Sequence, residues 1–224
     1  MGENTIHAEF RALDTDSFKR SSAEAVDDIL NPKPEKAYGY WLTEQKNANG
    51  LPIGVMVLAA NEIMLNLERL PVHYASGNGR LIAERPDRKD RYIRFSPVRI
   101  NRMIQDDVRS TVYIRTTKEE LEKAIAGYQQ LFQENVVGYW KSRQVGGIPN
   151  ILVITPEQVV RNTATPFQDY AVTIAYGVFR LRSKSHGSVS IEVLGPDSIR
   201  YEHSGEYVRI DKNEYEQLLQ LQKK

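Results

Sequence analysis

The stretch VRSTVYIRTTKEELEKAIAGYQQLFQEN, residues 108–135, holds the clearest strand-to-helix junction in the chain. Its first eight residues alternate. Val108, Val112 and Ile114 fall on one face of a strand, with Ser110 among them, and Arg109, Thr111, Tyr113 and Arg115 fall on the other. Thr117 then opens a helix. Glu120 stands three residues on, the spacing at which each side chain can accept the other's free backbone N–H. Leu121, Ala124, Ile125, Tyr128, Leu131 and Phe132 recur at i, i+3 and i+4, which predicts a helix with a continuous apolar stripe over about 118–135. Such a stripe needs an apolar sheet face to cover. The Val108/Val112/Ile114 face is the candidate, and that choice turns the Arg/Tyr face outward.

Just upstream the chain is unusually basic. Residues 91–115 carry six arginines, and residues 80–102 carry eight basic side chains against Glu84, Asp87 and Asp90. The net charge of the whole chain is only +1, so the remainder is slightly acidic. An asymmetry of this kind marks a candidate polyanion-binding face, and equally a charged loop beside a solvated strand. Residues 92–96 alternate, with Tyr92, Arg94 and Ser96 opposite Ile93 and Phe95. Pro97 ends that strand or places it at an edge. A short helical turn is expected within 98–107.

Farther toward the N-terminus, residues 37–43 (AYGYWLT) and 51–58 read as strands around an Asn49-Gly50 turn. Residues 60–70 are assigned to helix on their Glu, Met, Leu and Arg content, although Ile63, Leu65 and Leu67 alternate. Residues 72–75 and 80–83 flank Ser76-Gly77-Asn78-Gly79, a second hairpin signal. The spacing of Ser21 and Glu24 predicts a short helix that stops at Asn31-Pro32.

Beyond the long helix, residues 136–140 form a short apolar segment. Residues 141–150 (KSRQVGGIPN) form a Gly-containing loop that is the expected internal boundary. Residues 151–154 read as a strand, and Thr155-Pro156-Glu157 as the start of a helical turn through Val160. Residues 170–184 carry the longest strand signal. Within it either the face changes character near Gly177 or a bulge there exchanges the faces. Strands at 188–194, 198–203 and 206–210 read as a meander. Asp211 then caps a last helix docked by Tyr215, Leu218 and Leu219.

The fold class expected is α+β: a mostly antiparallel, mixed sheet or sheets with hairpins and a meander, one long packed helix at about 118–135, and short N-terminal and C-terminal helices. The 224 residues are expected to form one domain over 1–224, with a division into 1–140 and 150–224 as the alternative. No repeat of solenoid period is present. The sequence contains no cysteine, which excludes disulfides, thiol catalysis and cysteine-held metal clusters. The first residues lack a basic segment followed by an apolar run, so no signal peptide is expected. The longest uncharged run, residues 47–61, is broken by Gly50, Pro52 and Gly54, and a membrane helix needs ~20 apolar residues. No membrane partner is expected, and the location expected is cytoplasmic, or a virion for an assembly subunit.

Few residues suggest chemistry. His7, His73, His186 and His203 lack ligand spacing, and no metal or cofactor is expected. Asp106-Asp107, beside the basic stretch, is the one acidic pair worth considering for metal-dependent work on nucleic acid. The stronger constellation is the outward set Tyr92, Arg94, Arg109, Tyr113, Arg115, Arg180, Arg182 and Lys184, extended by Tyr207 and Arg209. Arg and Tyr alternating at strand spacing could offer guanidinium groups to phosphates and rings to bases. The sequence therefore points first to a non-enzymatic protein that binds nucleic acid through this face. The alternative is a structural subunit of a homo-oligomeric or larger assembly, of virion, tail or secretion type. A metal-dependent nucleic-acid-processing enzyme is the third reading.

Overall fold

The structure, a computed structural model, describes residues 32–86, 92–99, 101–106, 109–144, 146–183, 187–202 and 205–223. The expected helix after Ser21 and residues Asp107, Lys184, His7, His186 and His203 lie outside the described residues. Most of the described chain is antiparallel sheet. The first half contains α1 (Pro34–Ala37), β1 (Gly39–Thr43), β2 (Val55–Ala59), β3 (Glu62–Leu65), β4 (Glu68–Pro71), β5 (His73–Gly77), β6 (Arg80–Glu84), β7 (Tyr92–Arg99), β8 (Arg102–Gln105) and β9 (Thr111–Thr116). The long helix α2 (Lys118–Asn135) leads into the second half. There follow β10 (Gly138–Ser142), β11 (Ile151–Ile154), β12 (Gln158–Arg161), β13 (Phe167–Gln168), β14 (Tyr170–Ala175), β15 (Val178–Ser183), β16 (Gly187–Gly195), β17 (Ser198–Tyr201), β18 (Glu206–Ile210) and α3 (Lys212–Gln222).

The two halves have one topology. The strand orders are β4-β3-β2-β1-β9-β8-β7-β6-β5 and β13-β12-β11-β10-β18-β17-β16-β15-β14. In each sheet the two edge strands are neighbours in the chain. Only Val72 separates β4 from β5, and only Asp169 separates β13 from β14. The edges are thus the two halves of one bent strand, and each sheet must curl into a near-closed, up-and-down barrel. Closure comes from pairing the first strand with the last, Trp41 opposite Arg115 and Trp140 opposite Arg209.

Both interiors are filled with side chains. Trp41, Met56, Ile63, Leu81, Phe95, Met103 and Tyr113 are buried in the first barrel. Trp140, Leu152, Ile154, Leu181, Ile191, Ile199 and Tyr207 are buried in the second. The indole N–H of each tryptophan donates to a carbonyl four residues upstream, on Ala37 and Val136, at 3.0 Å in both cases. Asn66 and Asn162 also correspond. Each has φ 55°, and each side-chain oxygen accepts the backbone N–H that opens the neighbouring strand, from Val55 or from Ile151.

The helix α2 begins as its sequence demands, with Thr117 accepting the Glu120 N–H and the Glu120 carboxylate accepting the Thr117 N–H. Its stripe of Leu121, Ala124, Tyr128 and Phe132 is buried. The stripe packs along β1 and β2, where Tyr40, Leu42 and Val57 meet its cluster; Ile114 lies opposite Leu42 on the adjoining strand β9, and Val108 lies outside the described residues. The stripe then reaches the second barrel, where Phe179 meets the rings of Tyr128 and Phe132 edge-on at 5.8 and 5.4 Å. The helix α3 docks on the second barrel in the corresponding way, with Tyr215 5.0 Å from Tyr139, and Asp211 accepts the Glu214 N–H.

Several expectations are corrected. Residues 62–71 are β3 and β4, not helix, because Asn66 and Leu67 both take positive φ and turn the chain back. The expected turn within 98–107 is β8, and Pro97 sits inside β7 opposite Met103, with a shift of register between Pro97 and Arg99. Thr155 does not start a helix. Its hydroxyl accepts the N–H groups of Glu157 and Gln158 and delivers the chain into β12. The expected boundary loop begins inside β10. Residues 170–184 are not one strand: Tyr176 (φ 52°) and Gly177 (φ 79°) form a two-residue hairpin turn between β14 and β15. The α+β expectation holds only in part, since antiparallel sheet dominates and three helices flank it among the described residues.

Candidate ligand cleft between the barrels

The outward Arg/Tyr face does not exist as one surface. Thr111, Tyr113 and Arg115 point into the first barrel, with Tyr113 1% exposed, while Val112 and Ile114 are half-buried on the outside. The parity is the reverse of that expected. Arg115 is accommodated because its guanidinium lies over the Trp41 ring and donates to the carbonyls of Tyr38 and Lys36. Tyr207 and Arg209 likewise face the second barrel, Tyr207 1% exposed and Arg209 over Trp140. Tyr92 and Arg94 stand apart on β7, with the guanidinium 4.2 Å from the ring and donating to its hydroxyl. Lys184 lies outside the described residues.

The remaining members converge. Tyr113, Arg180 and Arg182 line one cleft of about 220 Å³ at the mouth of the first barrel. Arg109 lies 4.1 Å over the ring of Tyr176, another lining residue. The floor is set by the β3–β4 hairpin, the end of β8 and the start of β9: Leu65, Asn66, Glu68, Leu70, Gln105, Thr111 and Tyr113. The roof is the β14–β15 hairpin, contributing Thr173, Ile174, Ala175, Tyr176 and the two arginines. Residues 180 and 182 both project from the outer face of β15, ~6.6 Å apart by strand geometry.

Main-chain bonds hold the roof in place. Ile174 donates its N–H to the Asn66 carbonyl at 3.0 Å, and Gly177 donates to the Ile53 carbonyl at 3.1 Å. The Asn47 amide donates to the Gly177 carbonyl at 3.4 Å. The Arg182 guanidinium meets the Glu68 carboxylate at 2.6 Å. Among the described residues Arg180 has no ion-pair partner, so the lining carries one cation more than its single carboxylate neutralises. Deep in the joint, burial raises the Tyr128 phenol well above its usual range, and its hydroxyl donates to the Pro52 carbonyl at 2.7 Å.

Chemically the cleft offers recognition groups. Guanidinium groups match carboxylate or phosphate, and Gln105, Thr111 and Asn66 supply amide and hydroxyl groups beside them. Sequence reasoning missed Asn66, Glu68, Gln105 and Tyr176. Asn66 and Glu68 fell in an expected helix, and Tyr176 in an expected continuous strand. An Asn at the centre of an alternating run was the one signal that could have exposed the β3–β4 turn.

The acidic pair beside the basic stretch has a structural use at its described member. Asp106 pairs with Arg80 at 3.0 Å and accepts from Ser96 at 3.1 Å. Among the described residues no three His, Asp or Glu side chains gather as a metal site. None of their helices is long and apolar enough to cross a membrane. Compared with family models, curated proteins and solved structures, the chain matches none.

Proposed function

We propose that this is a binding protein that takes a small anionic, hydroxyl-bearing ligand in the cleft between its barrels. The observation that carries the reading is the position of Arg180. It lines a cleft of about 220 Å³ beside the neutralised Arg182–Glu68 pair. Ligand sites commonly occupy ~300–1,000 Å³, so the ligand is of monosaccharide size or smaller. The filled barrel interiors support the same scale, because neither interior is an open lumen. Calorimetric titration with inorganic phosphate, citrate and a hexose phosphate is the direct test. One of these probes is expected to bind, with affinity falling at least ~10-fold in Arg180→Gln, since truncating one side of a charge-assisted contact costs about 2 kcal/mol or more. Binding unchanged in that variant, or no binding by any probe, would refute the reading.

A second reading keeps nucleic acid as the ligand. It rests on Tyr92, 47% exposed with Arg94 over its ring, a pairing that could stack on a base and reach a phosphate. It requires salt-sensitive binding of a single-stranded oligonucleotide that is lost in Tyr92→Ala with Arg94→Ala and kept in Arg180→Gln.

A further inference from the structure

The contact between the barrels is built from parts that occur twice, but among the described residues it is made once. Its receiving side is the rim around Asn66, whose carbonyl accepts the Ile174 N–H. Asn162 repeats that rim in the second barrel, with φ 55° and the same pair of bonds to the opening residue of the adjacent strand. The inserting side is the Tyr176-Gly177 turn, with φ values of 52° and 79°. Asn78 (φ 52°) and Gly79 (φ 70°) repeat that turn between β5 and β6 of the first barrel. In the first barrel the receiving rim lies under β14 and β15, and Leu51 beside it packs into the shared core.

The second barrel's rim carries exposed apolar side chains at the corresponding place. Ile148, in the loop after β10, is 52% exposed, and Leu221, near the end of α3, is 47% exposed. Gln222, next to Leu221 in the chain, donates to the carbonyl of Pro149, next to Ile148, at 2.9 Å as Tyr128 does to Pro52, and to the Asn162 side-chain oxygen at 3.1 Å. The other side-chain atom of that amide, the Gln222 oxygen, is buried without a hydrogen-bond partner. Among the described residues no backbone hydrogen bond from elsewhere in the chain reaches the Asn162 carbonyl or the Asn78-Gly79 turn, so one molecule presents a second receiving rim at one barrel and a second inserting turn at the other.

We propose that the rim of the second barrel receives the β5–β6 turn of another copy of this chain, repeating between molecules the joint that the Tyr176-Gly177 turn makes within one. The two surfaces differ, so the contact is head-to-tail. It propagates into open chains, or into rings if the rotation per copy closes.

Sedimentation and light scattering of the full chain over a wide concentration range test this, together with two surface variants. Ile148→Asp with Leu221→Asp spoils the rim, and Ser76→Glu, at an exposed position beside the turn, spoils the insert. Circular dichroism and melting confirm that both remain folded. The wild-type chain is expected to grow past the dimer as concentration rises, and each variant alone to be monomeric. An equal mixture of the two is expected to form a one-to-one heterodimer and stop there, because one rim and one turn remain intact. Three results would overturn the proposal: a wild-type chain that stays monomeric throughout, assembly indifferent to both variants, or a mixture that remains monomeric.

Discussion

The guanidinium of Arg209 lies 4.4 Å from the centre of the Trp140 ring, and its two terminal nitrogens donate to the carbonyls of Val137 and Glu134 at 3.0 and 2.8 Å. The last strand of the barrel is thereby fastened to the end of α2 and to the entry of the first strand. Replacing Arg209 by Met removes two charge-assisted bonds worth roughly 1.5–3 kcal/mol each and a cation–π contact of ~0.5–2 kcal/mol. Because the side chain is only partly buried, we expect a net loss of about 2–3 kcal/mol in urea unfolding. Arg209→Lys should recover less than half, since an ammonium cannot reach both carbonyls and cover the ring. A loss below ~0.5 kcal/mol, the range of an ordinary surface change, would show that the contact carries no weight.

Gly138 is the companion of that arginine. Its φ is 150°, and a Cβ built there would stand 2.5 Å from the Arg209 guanidinium. Gly138→Ala therefore strains the backbone and expels the guanidinium together, with an expected cost of about 2–3 kcal/mol. Much of that cost should vanish in the Arg209→Met background, where a double-mutant cycle should give a coupling above ~0.5 kcal/mol. Strict additivity would mean the two residues do not share one site.

Phe179 joins α2 to the second barrel and is 1% exposed. Phe179→Ala should cost about 3–5 kcal/mol, the usual range for an aromatic removed from a core. The loss should appear as one cooperative transition for both halves if the joint couples them. Two separated transitions, the first barrel unaffected, would show that the barrels unfold independently.

Alkaline pH should destabilise the protein through its tyrosines. Burial is the main cause that pushes Tyr170 and Tyr201 up to about 12, and it raises Tyr74, Tyr128 and Tyr215 above their usual range as well. In the unfolded chain a phenol titrates near ~10. A raised folded value means the neutral form is favoured by folding, so this stability is complete below pH ~10 and is lost as pH rises through that value toward 12. Phenolate absorbance should rise in two stages, exposed rings first and buried rings together with loss of near-ultraviolet dichroism. Simultaneous titration of all twelve tyrosines near pH 10 in a still-folded protein would contradict this.

What the sequence made legible was local. The Thr117–Glu120 cap and the stripe that follows it define α2 without reference to anything distant, and Asn78-Gly79 defines its hairpin by turn chemistry alone. Facing was not legible. Around residue 113 both parities of β9 carry apolar groups, Tyr113 on one and Val112 and Ile114 on the other, so alternation could not say which entered the barrel. Arg115 counted as an outward residue, although Trp41 and two carbonyls provide for it inside. The duplication was hidden for a related reason. A filled barrel asks only for apolar residues at alternate positions and a workable turn at each end. Gly39-Tyr40-Trp41 with Gly138-Tyr139-Trp140, Tyr113-x-Arg115 with Tyr207-x-Arg209, and Lys118-x-Glu120-x-Glu122 with Lys212-x-Glu214-x-Glu216 are short shared runs beside single matches such as Asn66 with Asn162, and loops of unequal length put them out of step.

The bent strand at Val72, and its counterpart at Asp169, also governs the order in which the molecule can be made. Every pairing in a barrel except one joins neighbours along the chain, and such hairpins close over short distances. The exception is first with last, Tyr40 with Thr116 and Tyr139 with Ile210, a contact of high sequence separation that bears the main loop-closure cost. During synthesis β1 therefore waits with one edge unpaired until β9 has emerged. Only then is there a completed cylinder for α2 to lie against. Any nascent chain halted before residue 111 holds an open ribbon with two bare edges, the state in which this protein would be most exposed to aggregation on the ribosome.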